Sequence, residues 1–407
     1  MAPTPAPSLP SLLEATLVLS DQFISSLSLP TQPQSEPPSD STTPLPLPLL
    51  TTSATALKAQ TTKLSLLSIN TPFTPSALTT VLTTVNDSIL PSLVTAALLT
   101  LPASYTTAFH AEAKLLVKDV LREFGGLVGV VRGIAREQSG GDGKGNGIGE
   151  EVKVRGEQKK EMVLGATGRV WKACDELVTF AGEGVVGLVV RKARMYFELV
   201  RDGMRELEDW DPEEEAGDDE DDGFFDDDED EDENGLGKEK NENEEKPQPT
   251  PELLHSQKSH MLRLLTPLAQ IYPAIISQRL KKTSSSSTLT PSTPLCPSSV
   301  SQLDRLLPHL RELPNLLDEA AGSLYEHDLD NAAEYTTRLR KTAFMAAEVM
   351  RVPLSGGSSG AAGAKEGEGE QGGKNGEEEN VVEDKFPKWA DTWKKVVEEI
   401  AKSKMEG

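Results

Sequence analysis

Five histidines and two cysteines are the side chains of this 407-residue sequence best suited to metal binding or nucleophilic attack. His110, His255, His260, His309 and His327 are scattered, and only His255 and His260 lie close together. Five residues along a helix is a rotation of about 500°, which leaves two side chains roughly 140° apart. One ion needs convergent ligands, so no metal pair is expected there. Cys174 and Cys296 stand far apart in unlike contexts, which indicates neither a disulfide scaffold nor a zinc site. Cys174 lies beside Trp171 and Leu177 on the apolar side of its segment, where a thiol packs and does not react. Gly143-Lys144-Gly145 lacks the spacing of a phosphate loop and follows no strand signal. Paired carboxylates catalyse only inside a pocket that pushes their pKa values apart, and the run Asp226 to Glu233 has none. No catalytic residue, cofactor or metal is expected. The chain reads as non-enzymatic.

Its charge is concentrated in one block. Asp211 to Lys246 holds 21 Asp/Glu against 3 Lys, a net of −18 out of the −24 of the whole chain. Like charges at that density cannot be buried, so the block is expected to be a disordered linker. A second use is an electrostatic hook, with Phe224 and Phe225 as apolar anchors among acids, engaging a basic, groove-bearing partner. An acidic chaperone for histones or other basic proteins is the alternative function this tract suggests. The negative balance argues against direct nucleic-acid binding, which needs Lys/Arg at phosphates. No membrane span is expected either. The uncharged stretch Ser88 to Phe109 is interrupted by Pro91 and Pro102, and no basic cluster flanks it. The first basic residue is Lys58, so the basic start of a signal peptide is missing.

What must position any functional side chain is a set of helices. Phe109, Ala113, Leu116, Val120, Phe124, Leu127, Val131 and Ile134 recur at steps of 3 or 4, which predicts a helix over 104–136. The same rhythm predicts helices over 8–29, 54–69, 75–101, 158–180, 184–210, 251–282, 300–324, 328–350 and 387–403. Pro308 and Pro314 are expected to kink the 300–324 helix. Sustained period-2 runs and hairpin turns are missing. Each helix has one apolar stripe and must find neighbours to cover it. The fold class is therefore all-α, two antiparallel helical bundles joined by the disordered acidic linker.

The expected organisation is an N-terminal bundle over 1–210, with a Pro/Ser insert at 30–50 and a Gly loop at 139–150. The acidic linker follows over 211–250, then a C-terminal bundle over 251–352. A disordered Gly/Glu linker over 353–385 leads to a last helix over 386–405. There Trp389 and Trp393, spaced i,i+4, are candidate partner-binding residues, as are Phe224 and Phe225. Leaving two tryptophans in water is unfavourable, so that helix is expected to fold back on the second bundle.

One stretch goes beyond pattern. Thr167-Gly168-Arg169-Val170-Trp171-Lys172-Ala173-Cys174-Asp175-Glu176-Leu177 resembles the T-G-x-V-W-x-A-C-D segment of the cyclin-D-binding (cyclin-D-interacting, GCIP) protein family. Val200 to Trp210 is similar to that family's acidic, Leu-containing helix end, and the acidic interruption after it is similar too. The resemblance runs from about residue 50 to 350. It implies an all-helical protein of two bundles without enzymatic activity, acting through protein partners in nucleus and cytoplasm. Cyclin-like and helix–loop–helix regulators are the partners it implies, with a role in cell-cycle progression or transcription. Thr167, Gly168, Val170, Trp171, Cys174 and Asp175 carry over as motif residues, expected to pack in the core. For a buried Trp171, truncation to Ala would destabilise the first bundle by roughly 3–5 kcal/mol. The segments 30–50, 139–149 and 355–379 depart from the family pattern as additions.

Overall fold

Proline opens five of the first helices, at the one place where its missing N–H leaves no hydrogen bond unmade. The computed structural model describes residues 8–30, 44–139, 149–213, 249–281, 295–354 and 384–403. Every regular element among them is helical and none is a strand, so the all-α expectation holds. The described residues form two compact units, one drawn from Met1–Val189 and Thr283–Asp304, the other from Val190–Lys282, Arg305–Leu354 and Ala364–Gly407.

The first unit contains α1 (Leu9–Ser28), α2 (Pro46–Ile69), α3 (Pro75–Thr84), α4 (Leu90–Leu99), α5 (Pro102–Tyr105), α6 (Thr107–Ser139) and the first part of α7 (Gly149–Asp209). Cross-helix bonds give the directions. Lys114 Nζ donates to the Leu29 carbonyl at 3.0 Å while Arg132 meets Glu14 at 2.5 Å, so α1 and α6 are antiparallel. Lys58 meets Asp175 at 2.6 Å and the Ser65 hydroxyl meets that of Thr167, so α2 and α7 are antiparallel as well. The core between them is apolar, with Leu13, Leu57, Leu82, Phe109, Phe124 and Phe180 fully buried.

The second unit contains α7 from Val190 onward, α8 (Pro251–Ala269), α9 (Ile271–Ile275), the main part of α10 (Pro297–Tyr325), α11 (Leu329–Val349) and α12 (Phe386–Lys402). Leu303, Leu306, Leu310, Leu313, Leu317, Ala320 and Leu324, spaced by 3 or 4 along α10, are buried. The helix runs continuously through Pro308 and Pro314. The Tyr272 hydroxyl, itself buried, donates to the Leu310 carbonyl at 2.7 Å.

Several boundaries differ from the sequence reading. α2 begins at Pro46, inside the expected 30–50 insert, because Leu47 and Leu50 are fully buried and draw that turn into the core. Residues 31–43 lie outside the described residues. The expected 75–101 helix is α3 and α4 joined through a wider turn, Val85–Ile89, in which the Leu90 N–H reaches back five residues to Val85. That turn stands just ahead of Pro91, which cannot donate. The expected Gly loop shrinks, since α6 extends to Ser139 and α7 starts at Gly149. Residues 158–180 and 184–210 form one helical run broken only at Gly184, whose φ of 63° and ψ of −167° suit glycine.

The compact units do not part at 210. Residues 190–209 belong with the second unit because their stripe finds partners there. Phe197 lies 5.7 Å from Tyr272 between ring centres, Trp210 lies 4.9 Å from Tyr325, and Gly203 lies against Leu317. The acidic residues 214–248, with Phe224 and Phe225, fall outside the described residues. The helix ends on either side, Asp209 and Pro251, both belong to the second unit.

Pro75–Leu99 is one stretch long and apolar enough to cross a membrane, and half of its most apolar window is buried inside the fold.

Candidate partner-binding site

The motif Thr167–Asp175 sits in α7 and divides between two faces of that helix. Thr167, Val170 and Cys174 point inward, in phase with Val163 and Leu177. Thr167 shares a hydroxyl contact with Ser65 and also donates to the Val163 carbonyl at 2.7 Å. Burial pushes the Cys174 thiol up to about 12, with the Asp175 charge adding to the effect and Lys58 opposing it. It is a packed, unreactive sulfur.

Gly168, Trp171 and Asp175 face solvent. Trp171 corrects the expectation of a core residue, for it is 37 % exposed. The reason is angular. Residue 171 follows Val170 by 100° of helix rotation, so if Val170, Cys174 and Leu177 define the inner face, Trp171 lies on its flank. Lys58 Nζ stands 5.9 Å from the centre of the Trp171 ring and also pairs with Asp175. Leu164, 57 % exposed and two turns before Trp171, continues the same outer face. The result is an aromatic and aliphatic stripe beside an exposed ion pair. Lys58 and Leu164 were not legible as site residues, because only the antiparallel packing of α2 on α7 brings them to Trp171.

Trp171→Ala should therefore lower the stability of the first unit by about 1 kcal/mol, well below a core truncation, since most of the lost contact is at a surface. Thermal unfolding of the full chain measures this.

The other sequence candidates lie elsewhere. In α12, Trp393 is buried, its Nε1 donates to the Pro267 carbonyl at 2.7 Å, and Trp389 stacks on it at 5.5 Å. Both rings are engaged within the second unit. Val396, on the same helix, points outward at 42 % exposure. His255 is 3.7 Å from Asp211, and His260 Nε2 is 3.2 Å from the Ile400 carbonyl, so the two serve different neighbours. No group of three or more His, Cys, Asp or Glu among the described residues is placed to hold a metal. Cys174 and Cys296 form no disulfide.

His110 is buried, with Nδ1 2.9 Å from the Thr100 carbonyl. Burial lowers its pKa below the ordinary 6.5, the nearby Lys114 charge lowers it further, and the Thr100 bond opposes both. The unfolded chain takes up the proton first as pH falls, so the neutral buried ring loses stability for the fold from about pH 6.5 downward. His110→Gln should flatten the dependence of Tm on pH between pH 7 and the folded pKa, as read by calorimetry at several pH values.

The class these features define is an all-helical protein whose motif turns Thr167, Val170 and Cys174 to the core and Gly168, Trp171 and Asp175 to solvent. Residues 49–213 match the family described as Grap2 and cyclin-D-interacting, N-terminal. That match spans 165 of the 407 residues and supports the resemblance drawn from Thr167 to Leu177 and from Val200 to Trp210. The match ends at the start of the acidic stretch, short of residue 350. Among curated proteins none matches the chain, and among solved structures none does.

Proposed function

We propose that the protein is a non-enzymatic adaptor that binds a D-type cyclin through the outer face of α7, and that it acts on cell-cycle progression or transcription in nucleus and cytoplasm. The observation supporting this most is the position of Trp171. A family-motif tryptophan that does not serve the core has its ring turned partly to water. Tryptophan is among the residues enriched at the energetic centres of interfaces, because it buries a large rigid area with little entropy loss. Lys58 and Asp175 beside it are exposed, so their pair adds little to the fold and is available to re-pair across an interface.

The test is binding of a purified D-type cyclin to the full chain and to Trp171→Ala. The expected result is an affinity loss of tenfold or more, in line with an interface tryptophan, at a nearly unchanged melting temperature. Equal affinities would overturn the proposed face. Binding that ignores Trp171 but disappears on deletion of 211–246 would favour the acidic-chaperone alternative.

A further inference from the structure

The second unit carries a cavity of about 530 Å³ between α8, α11 and the end of α12. Its walls include Met261, Leu264, Leu324 and Ala332, and its charged lining residues are the cations Arg340 and Lys402. Among the described residues no Asp or Glu lines it. Arg340 is half-buried, and among the described residues neither Arg340 nor Lys402 is in an ion pair. An apolar trough with unmatched positive charge fits a ligand that is both aromatic and acidic.

We propose that this trough is the docking surface for residues 218–233 of the same chain, with Phe224 and Phe225 entering the apolar floor and the flanking acids facing Arg340 and Lys402. Those sixteen residues contain thirteen Asp/Glu, no Lys or Arg, and the only adjacent pair of phenylalanines in the chain. The chain departs toward them beside the trough. Lys258 on α8 donates to the Glu208 and Trp210 carbonyls at 2.8 and 2.5 Å, and its neighbours Gln257 and Met261 line the cavity. From Glu213 to Phe224 is eleven residues, a reach of up to about 36 Å. The described residues on either side, up to Glu213 and from Pro249, belong to the unit that bears the trough. Such a tether raises the local concentration of the segment to the order of millimolar, so modest contacts suffice.

Carbodiimide coupling of the full-length monomer, which joins carboxylates to nearby lysine amines, tests it. Amide links from Lys402 to acids of 218–233 should dominate over links from that segment to Lys172, whose side chain is 79 % exposed on the first unit. The double substitution Phe224→Ser, Phe225→Ser should reduce the Lys402 links roughly tenfold, the factor expected when buried phenyl contacts are removed. Arg340→Glu should do the same while circular dichroism stays helical. Links to Lys402 that survive the Phe substitutions would overturn the proposal, since tethering alone would explain them. A mixture of isotope-labelled and unlabelled chains covers the remaining case. Links joining the two isotopes would also overturn it, by making a second copy the occupant.

Discussion

Phe180→Ala is expected to destabilise the first unit by about 3–5 kcal/mol. Phe180 has no exposed surface, and its ring stacks on that of Phe109 with centres 4.3 Å apart and planes 20° apart. Phe109 is equally buried and lies 5.7 Å from the Tyr105 ring, so the three rings pack from α5, α6 and α7 into one cluster. Alanine would remove the transfer energy of a whole phenyl ring and leave a cavity that helices pinned on both sides cannot close. For a unit of this size the shift in Tm is on the order of 10 °C. Phe180→Leu, which keeps most of the volume, should cost much less. Calorimetry of the full chain distinguishes the two, and a Phe180→Ala shift as small as that of Trp171→Ala would mean that the inner and outer faces of α7 are misassigned.

Arg279→Met is the counterpart in the second unit, with an expected loss of about 3 kcal/mol, the lower end of the range for breaking a buried ion pair. The Arg279 guanidinium is 3 % exposed and organises the junction at which α12 begins. Its Nε donates to the Met350 carbonyl at 2.6 Å, one Nη to the Arg351 carbonyl at 2.9 Å, and both Nη atoms to the Asp384 carboxylate at 2.7 and 2.9 Å. The same group lies 4.4 Å from the centre of the Phe386 ring. Asp384 is one-third exposed, so part of its charge is recovered by water after the substitution. That is why the lower end of the range applies. Methionine fills comparable space but removes the hydrogen bonds that Arg279 donates to two carbonyls and a carboxylate. Hydrogen exchange should show α12 opening more readily than α8, and equal protection in variant and wild type would contradict this account of how the helix is held.

The helices were legible because burial repeats at the helical period. In the helix expected over 300–324, the residues from Leu303 to Leu324 at steps of 3 or 4 are buried, since each such step returns to the same face. Boundaries were less legible wherever proline carried two meanings. Pro46 and Pro48 read as part of a flexible insert, yet a proline in the first turn of a helix forfeits nothing. The split of α7 between two compact units had no sequence signature. Val189 and Val190 sit within one continuous apolar rhythm, and only the partners of Phe197, Gly203 and Trp210 decide where the unit begins. Trp171 shows the same limit at the scale of one side chain. A motif reports which residues travel together, while a rotation of 100° decides which of them meets solvent. The Arg279–Asp384 pair, 105 residues apart in sequence, could not be read from spacing at all.

Hydrogen exchange of the full chain with and without a bound D-type cyclin shows whether the outer face of α7 receives the partner. New protection is expected only in the first unit, over the α7 turns from Leu164 to Asp175 and the α2 turn around Lys58. Saturating cyclin that leaves those turns unchanged and protects another surface instead would contradict it.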